Sequence, residues 1–116
     1  MMADTSGHAT WSDFERLGLR VGTIQRIEPF PEARKPAYKI WIDFGSFGVR
    51  QSSAQVTVLY AAAELIGRQV ICVTGLGPKR VAGFKSEVLV TGFTRPDGAV
   101  VLAMPDRPVE NGSPLA

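Results

Sequence analysis

The stretch YKIWIDF, Tyr38 to Phe44, restricts the fold more than any other segment of the chain. Tyr38, Ile40, Ile42 and Phe44 fall on one side of an extended backbone, and Lys39, Trp41 and Asp43 fall on the other. A clean period of two specifies a strand half-buried in a sheet, with its apolar side in a core. The opposite side carries a tryptophan between two charges, which is unusual for a polar face.

The flanking segments extend this pattern. LRVGTIQRI (Leu19 to Ile27) is β-branched and roughly alternating, and Gly22 inside it predicts a bulge or sharp bend. EPFPEARKPA (Glu28 to Ala37) holds Pro29, Pro31 and Pro36 and must be a loop. After a GSFG turn, VRQSSAQV (Val49 to Val56) returns as a second strand with a polar middle. VTVLYAAAELIG reads as a helix of two to three turns closed by Gly67. QVICVTGL is an apolar strand, GPKRVAGFKS a basic loop, EVLVTGF another strand, and AVVLAMP, after the turn RPDG, a last one. The tail DRPVENGSPLA is irregular. At the front, Ser12 and Glu15 have capping-box spacing for a short helix to Leu17, with Trp11 as a staple and Gly18 as the stop.

Short strands with turn signals about every ten residues indicate an all-β barrel, nearly or fully closed. A five-stranded barrel with a helix between its third and fourth strands has the arrangement of the OB-fold, a frequent binder of oligonucleotides and oligosaccharides. The expected organisation is a flexible lead of residues 1–10, then one domain over 11–116 with a short N-terminal helix and a C-terminal extension. The 45% apolar and 21% charged content suits a globular domain and excludes a coiled coil or a disordered tail. No uncharged apolar run approaches the ~20 residues of a membrane span, and the N-terminus does not resemble a signal peptide. The expectation is therefore a cytoplasmic protein without membrane insertion.

Composition also narrows the chemistry. The single His8 and single Cys72 cannot form a disulfide, a zinc cage or a convincing Ser-His-Asp triad, so no metal, no cofactor and no enzymatic role are expected. Cys72, inside an apolar strand, reads as a buried structural thiol. Gly75 and Gly77 start a dinucleotide-like motif, but Arg80 stands where its third glycine belongs and a barrel is the wrong setting.

The net charge of +2 hides an uneven distribution. Residues 16–39 hold six cations against Glu28 and Glu32 (net +4), and residues 68–95 hold five against Glu87 (net +4). Joined by the fold, the two blocks would make one basic face. Trp41 either stacks on a base or an apolar peptide side chain, or packs under a loop or in a subunit interface. Arg50, Ser52, Ser53 and Gln55 offer hydrogen-bonding groups on the neighbouring strand. The segment from Lys79 and Arg80 to Lys85 and Ser86 can meet phosphates or acidic peptides. Trp11, Phe14 and Leu17 give the leading helix apolar surface that a small barrel does not bury alone.

The blocks LGLRVGTIQRIEPFPEARKPAYKIWIDFG, RQSSAQVT, LIGRQVICVTGLGPKRVAGFKSEVLV and PDRPVENG together resemble the tRNA-binding domain family. That family includes appended domains of some methionyl- and phenylalanyl-tRNA synthetases and a free-standing dimeric tRNA-binding protein. FPEAR, IDFG, QSSAQ and AGFKSEVLV most resemble its CsaA-type branch, described as an export-related chaperone. The likeness covers about Phe14 to Gly112.

The resemblance implies an OB-fold with additions at both ends that build a symmetric homodimer; the apolar surface of Trp11, Phe14 and Leu17 separately makes them the expected interface. It implies that Ser86 matches the serine opening the family's Ser-x-Gly-Met block, and that Lys79, Arg80 and Lys85 match the basic loop before it. Arg50 and Ser52 match its arginine–serine segment on the barrel face. Val88 and Leu89 stand where Gly-Met is usual, and GLGPKR replaces Asn-Leu-x-Pro; both departures are compatible with a ligand of apolar peptide. Two functions follow. One is a homodimeric chaperone for unfolded or pre-secretory polypeptides; the other is recognition of tRNA by backbone and shape. Trp41, Arg50, Ser52, Gln55, Lys79, Arg80, Lys85 and Ser86 are the candidate binding residues for either.

Overall fold

Strand β1 (Leu19–Pro29) organises the molecule because it serves two neighbours. In this computed structural model, which describes residues 7–116, its first half pairs antiparallel with β4 (Gln69–Val73) and its second half with β2 (Tyr38–Asp43). β3 (Val49–Ala54) continues the sheet beyond β2, and β7 (Leu89–Val90) continues it beyond β4. The result is a five-stranded antiparallel sheet in the order β3-β2-β1-β4-β7. Its edges curl toward each other: Glu87 N–H donates to the Gln51 carbonyl at 2.8 Å, and Ser52 Oγ donates to the Val88 carbonyl at 2.8 Å. This nearly closed barrel is consistent with the expected OB-fold, with helix α2 (Ala62–Leu65) between the third and fourth strands.

The barrel is filled by the inward positions. Ile24, Ile40, Ile42, Phe44, Leu65, Val70 and Cys72 are fully buried in one cluster. Burial pushes the Cys72 thiol up to about 12, since a thiolate there would lose its hydration. Gly22 faces this cluster, where an added Cβ would stand 2.5 Å from Ile42 Cγ2 and 2.8 Å from the Phe44 ring. The glycine lets β1 press its backbone onto the core. The expected bulge does occur in β1, between Ile24 and Arg26 rather than at Gly22.

Other sequence expectations need correction. The helix cap is Thr10 with Asp13, not Ser12 with Glu15, so Trp11 lies inside α1 (Trp11–Leu17) and is no staple. The Thr10 N–H and then its hydroxyl hold the Asp13 carboxyl below the usual range. Thr10 thus gives a defined role to the end of the lead segment, while residues 1–6 of that segment lie outside the described residues. The helix expected over 56–67 shrinks to the single turn α2, because Val56 is buried and Tyr60 is tethered. The Tyr60 carbonyl accepts from Tyr38 Oη at 2.8 Å, and its own Oη accepts from Leu102 N–H at 3.1 Å.

The expected loop 77–86 is a hairpin, β5 (Lys79–Val81) with β6 (Phe84–Ser86), and its two-residue turn holds Ala82 and Gly83 at positive φ. The expected strand 87–93 divides between β7 and β8 (Gly92–Thr94), which pairs with β9 (Val100–Leu102). The tail runs along the edge of β1 that β2 leaves free. Val21 N–H donates to Ser113, and Gly112 and Leu115 N–H donate to Val21 and Leu19.

Candidate binding surface

The outer faces of β2 and β3 meet the β5–β6 hairpin. Alternation aims Lys39, Trp41, Gln51 and Ser53 outward, and Trp41 and Gln51 are directly paired across the strands. Trp41 Nε1 donates to Gln51 Oε1 at 3.2 Å, and Gln51 Nε2 donates to the Lys85 carbonyl at 2.8 Å. Ser86 Oγ accepts from Ser53 N–H at 3.1 Å. The hairpin is thereby fastened to β3 by polar contacts and to β2 by aromatic ones.

The aromatic contacts form a chain. The Phe84 ring meets Trp41 edge-on at 5.9 Å and Phe30 at 5.5 Å. Arg26 lies 4.4 Å over the indole of Trp41 and is paired with Glu28, while Lys39 Nζ lies 4.8 Å over Phe30 and 5.2 Å over Phe84. Trp41 is half-buried under this cover. It helps to fix the hairpin through these contacts. Trp41 thus makes packing contacts with the hairpin, the kind of role the second reading from the sequence describes.

Behind the hairpin opens a groove of about 980 Å³. One wall is the loop from Ala33 to Ala37 with Arg34 and Lys35; the other is Leu76 and the hairpin arm from Lys79 to Ala82. The floor is the end of β3 and the following residues to Val56, with Ser86 to Val90 and Val100. Alanine, valine and leucine dominate the floor, and cations stand on both walls. Among the described residues, no carboxylate lies within 4.0 Å of the charged groups of Arg34, Lys35, Lys79 or Arg80.

The structure brings together only part of the sequence-derived set. Gln55, Lys79, Arg80 and Ser86 line the groove. Lys85, paired across from Arg80 on the hairpin, is exposed and is not among the residues that line the groove. Ser52 is 1% exposed and bonds the Val88 carbonyl, so it locks the barrel seam instead of offering a surface group. Arg50 shares the parity of Ser52, not of Trp41, and its exposed side chain donates to the Phe47 carbonyl at 3.4 Å. Sequence reasoning missed Arg34 and Lys35 as wall residues, although they sit in the first basic block. It also missed the Phe30–Phe84 contact, which links two segments 54 positions apart and leaves no local signal.

The residues expected at a dimer interface lie away from this groove on α1. Trp11 is 81% exposed, Leu17 is exposed, Phe14 is half-buried, and α1 buries no residue. Among the described residues, no group of three or more His, Cys, Asp or Glu side chains could hold a metal, and no helix is long and apolar enough to cross a membrane.

Comparison with known proteins agrees with this architecture. The family model of the tRNA binding domain matches residues 19–114. The crystal structure of the chaperone CsaA from Bacillus anthracis superposes with a TM-score of 0.89 at 48% identity, covering 95% of this chain and 100% of that one. The CsaA chaperone protein from Picrophilus torridus gives 0.86 at 44% identity, over 94% and 100%. The methionine–tRNA ligase of Salinibacter ruber is 35% identical over 96 residues, which is 83% of this chain. The chain spans only 13% of that ligase's length.

Proposed function

The chain belongs to the tRNA-binding domain family, with its CsaA-type members, and we propose that it is a homodimeric chaperone that holds unfolded or pre-secretory polypeptides in the cytoplasm. The observation that carries this reading is the groove. A floor of small and branched apolar side chains with charged walls suits an extended segment, whose side chains enter the floor while its backbone and polar groups meet the rim. The likeness to two chaperones over nearly the whole chain supports it. So does α1, whose exposed Trp11 and Leu17 give a second copy an apolar surface to cover. Incubation with an unfolded, aggregation-prone protein is the test. Aggregation is suppressed at stoichiometric dimer, and failure to suppress it removes the reading. Sedimentation at micromolar concentration returns a dimer; a monomer refutes that part.

The four wall cations without carboxylate partners favour a second use of the same surface, the binding of tRNA by its backbone. Binding then weakens steeply with salt, because each neutralised phosphate releases counterions. Replacing Lys79, Arg80 and Lys85 together by Ala flattens that dependence. Absence of tRNA binding at low salt ends this reading.

A further inference from the structure

We propose that the groove is selective by charge: it takes extended peptide segments whose apolar residues are flanked by Asp or Glu, and it turns away segments flanked by Lys or Arg. The inference rests on the peptide-binding reading above and adds the class of segment. Four cations line the groove, Arg34 and Lys35 on one wall and Lys79 and Arg80 on the other. Among the described residues, Glu87 is the sole carboxylate that lines the groove, and its Oε1 accepts from Gln51 N–H at 3.1 Å. Glu32 is exposed on the same loop but does not line the groove.

The lining therefore presents positive charge from two separate segments beside an apolar floor. An apolar centre alone fits the floor whatever surrounds it. Flanking carboxylates meet four cations against the single carboxylate of Glu87, whereas flanking ammonium groups meet a net positive lining. Like-charge juxtaposition rejects wrong partners more effectively than complementary charge adds affinity. The strongly basic start of a leader segment is thus a poor occupant, and acidic–apolar stretches of a polypeptide are good ones.

Two dye-labelled peptides with one shared apolar centre, flanked by Glu in one and by Lys in the other, test this by fluorescence anisotropy on the full chain. The Glu-flanked peptide should bind about tenfold tighter at low salt, the sum of a few exposed pairs. The gap should narrow at high salt. Lys79→Glu with Arg80→Glu should reverse the preference, and so should Arg34→Glu with Lys35→Glu on the opposite wall. Circular dichroism checks that each variant is folded. Equal affinity for the two peptides, or a preference for Lys, overturns the proposal. A Glu-flanked peptide with a Gly/Ser centre should bind more weakly, and equal binding overturns the role of the floor. A single-stranded RNA that displaces the Glu-flanked peptide about tenfold more effectively than unlabelled peptide reassigns the walls to nucleic acid and also overturns it. If neither peptide binds and the unfolded client still aggregates, the chaperone reading itself has failed. If the client is held while both peptides bind alike, only the charge selection has.

Discussion

Ile42 and Trp41 are neighbours on β2, yet they belong to different environments. Ile42 points into the barrel, fully buried among Ile24, Ile40 and Phe44. Trp41 points outward and is half-covered by Phe84 and Arg26. The inner face is a single apolar cluster in which loss of volume cannot be relieved. The outer face is a layer of polar and aromatic contacts that hold an accessory hairpin. One face sets whether the chain folds; the other sets where the groove walls stand. Ile42→Ala is expected to lose about 2–5 kcal/mol of stability by denaturant titration, through lost burial and a residual cavity. Trp41→Ala should cost clearly less, while loosening the hairpin and weakening peptide binding. If the two substitutions cost the same, the outer layer is a second core and the contrast fails.

This contrast was only partly legible in the sequence. Alternation in Tyr38–Phe44 identified the buried face without ambiguity, because a period of two survives any tertiary context. The barrel followed from the strands and turns. The hairpin β5–β6 did not, because its turn uses Ala82 with Gly83, and alanine at positive φ is no turn signal. The helix expected over 56–67 was overruled by Val56 and Tyr60, whose burial and long-range tethers outweigh local propensity. The basic residues were all visible as two blocks. Which of them converge on one groove was not, since Arg34 and Lys79 meet only through the fold. Ser52 looked like a surface group because its neighbours are polar; register, not composition, turns it inward.

Ser52 and Ser86 sharpen the comparison. Both touch the β3 edge, but Ser52 is buried and satisfies the Val88 carbonyl, while Ser86 is half-buried and accepts from Ser53 N–H. Ser52→Ala removes the 2.8 Å donor to the Val88 carbonyl and leaves it only the long 3.5 Å contact from Ser86 Oγ, which should cost about 1–3 kcal/mol. Ser86→Ala exposes its partner more readily to water and should cost about 1 kcal/mol or less. Thermal unfolding of the two variants decides it, and the reverse order would place the seam on the hairpin side.

Cys72 carries the inner face into pH. Its thiol is raised by burial from 9.0 to about 12. Above pH 9 the unfolded thiol ionises while the folded one keeps its proton, so the folded state binds more protons and stability falls as pH rises. Below about pH 8 this group adds essentially no slope. The loss attributable to it reaches about 1 kcal/mol near pH 10. It appears as the difference between the native chain and Cys72→Ala, measured by unfolding across that range. A parallel pair of curves would mean that water reaches the thiol in the folded state.

The smallest expected effect lies at the far end of the outer layer. Ala82 occupies the first turn position of the hairpin at φ 47°, where a Cβ is strained and Asn is favoured. Ala82 is exposed, so a polar side chain there meets solvent and not the core. Ala82→Asn should therefore raise stability by about 0.5 kcal/mol, the scale of other backbone-compatible turn substitutions. The gain belongs to the hairpin alone if amide exchange slows in β5 and β6 while the strands around Ile42 keep their rates. Slowing across β2 and β4 as well would mean that hairpin and barrel open as one unit, and that the two faces are energetically a single structure.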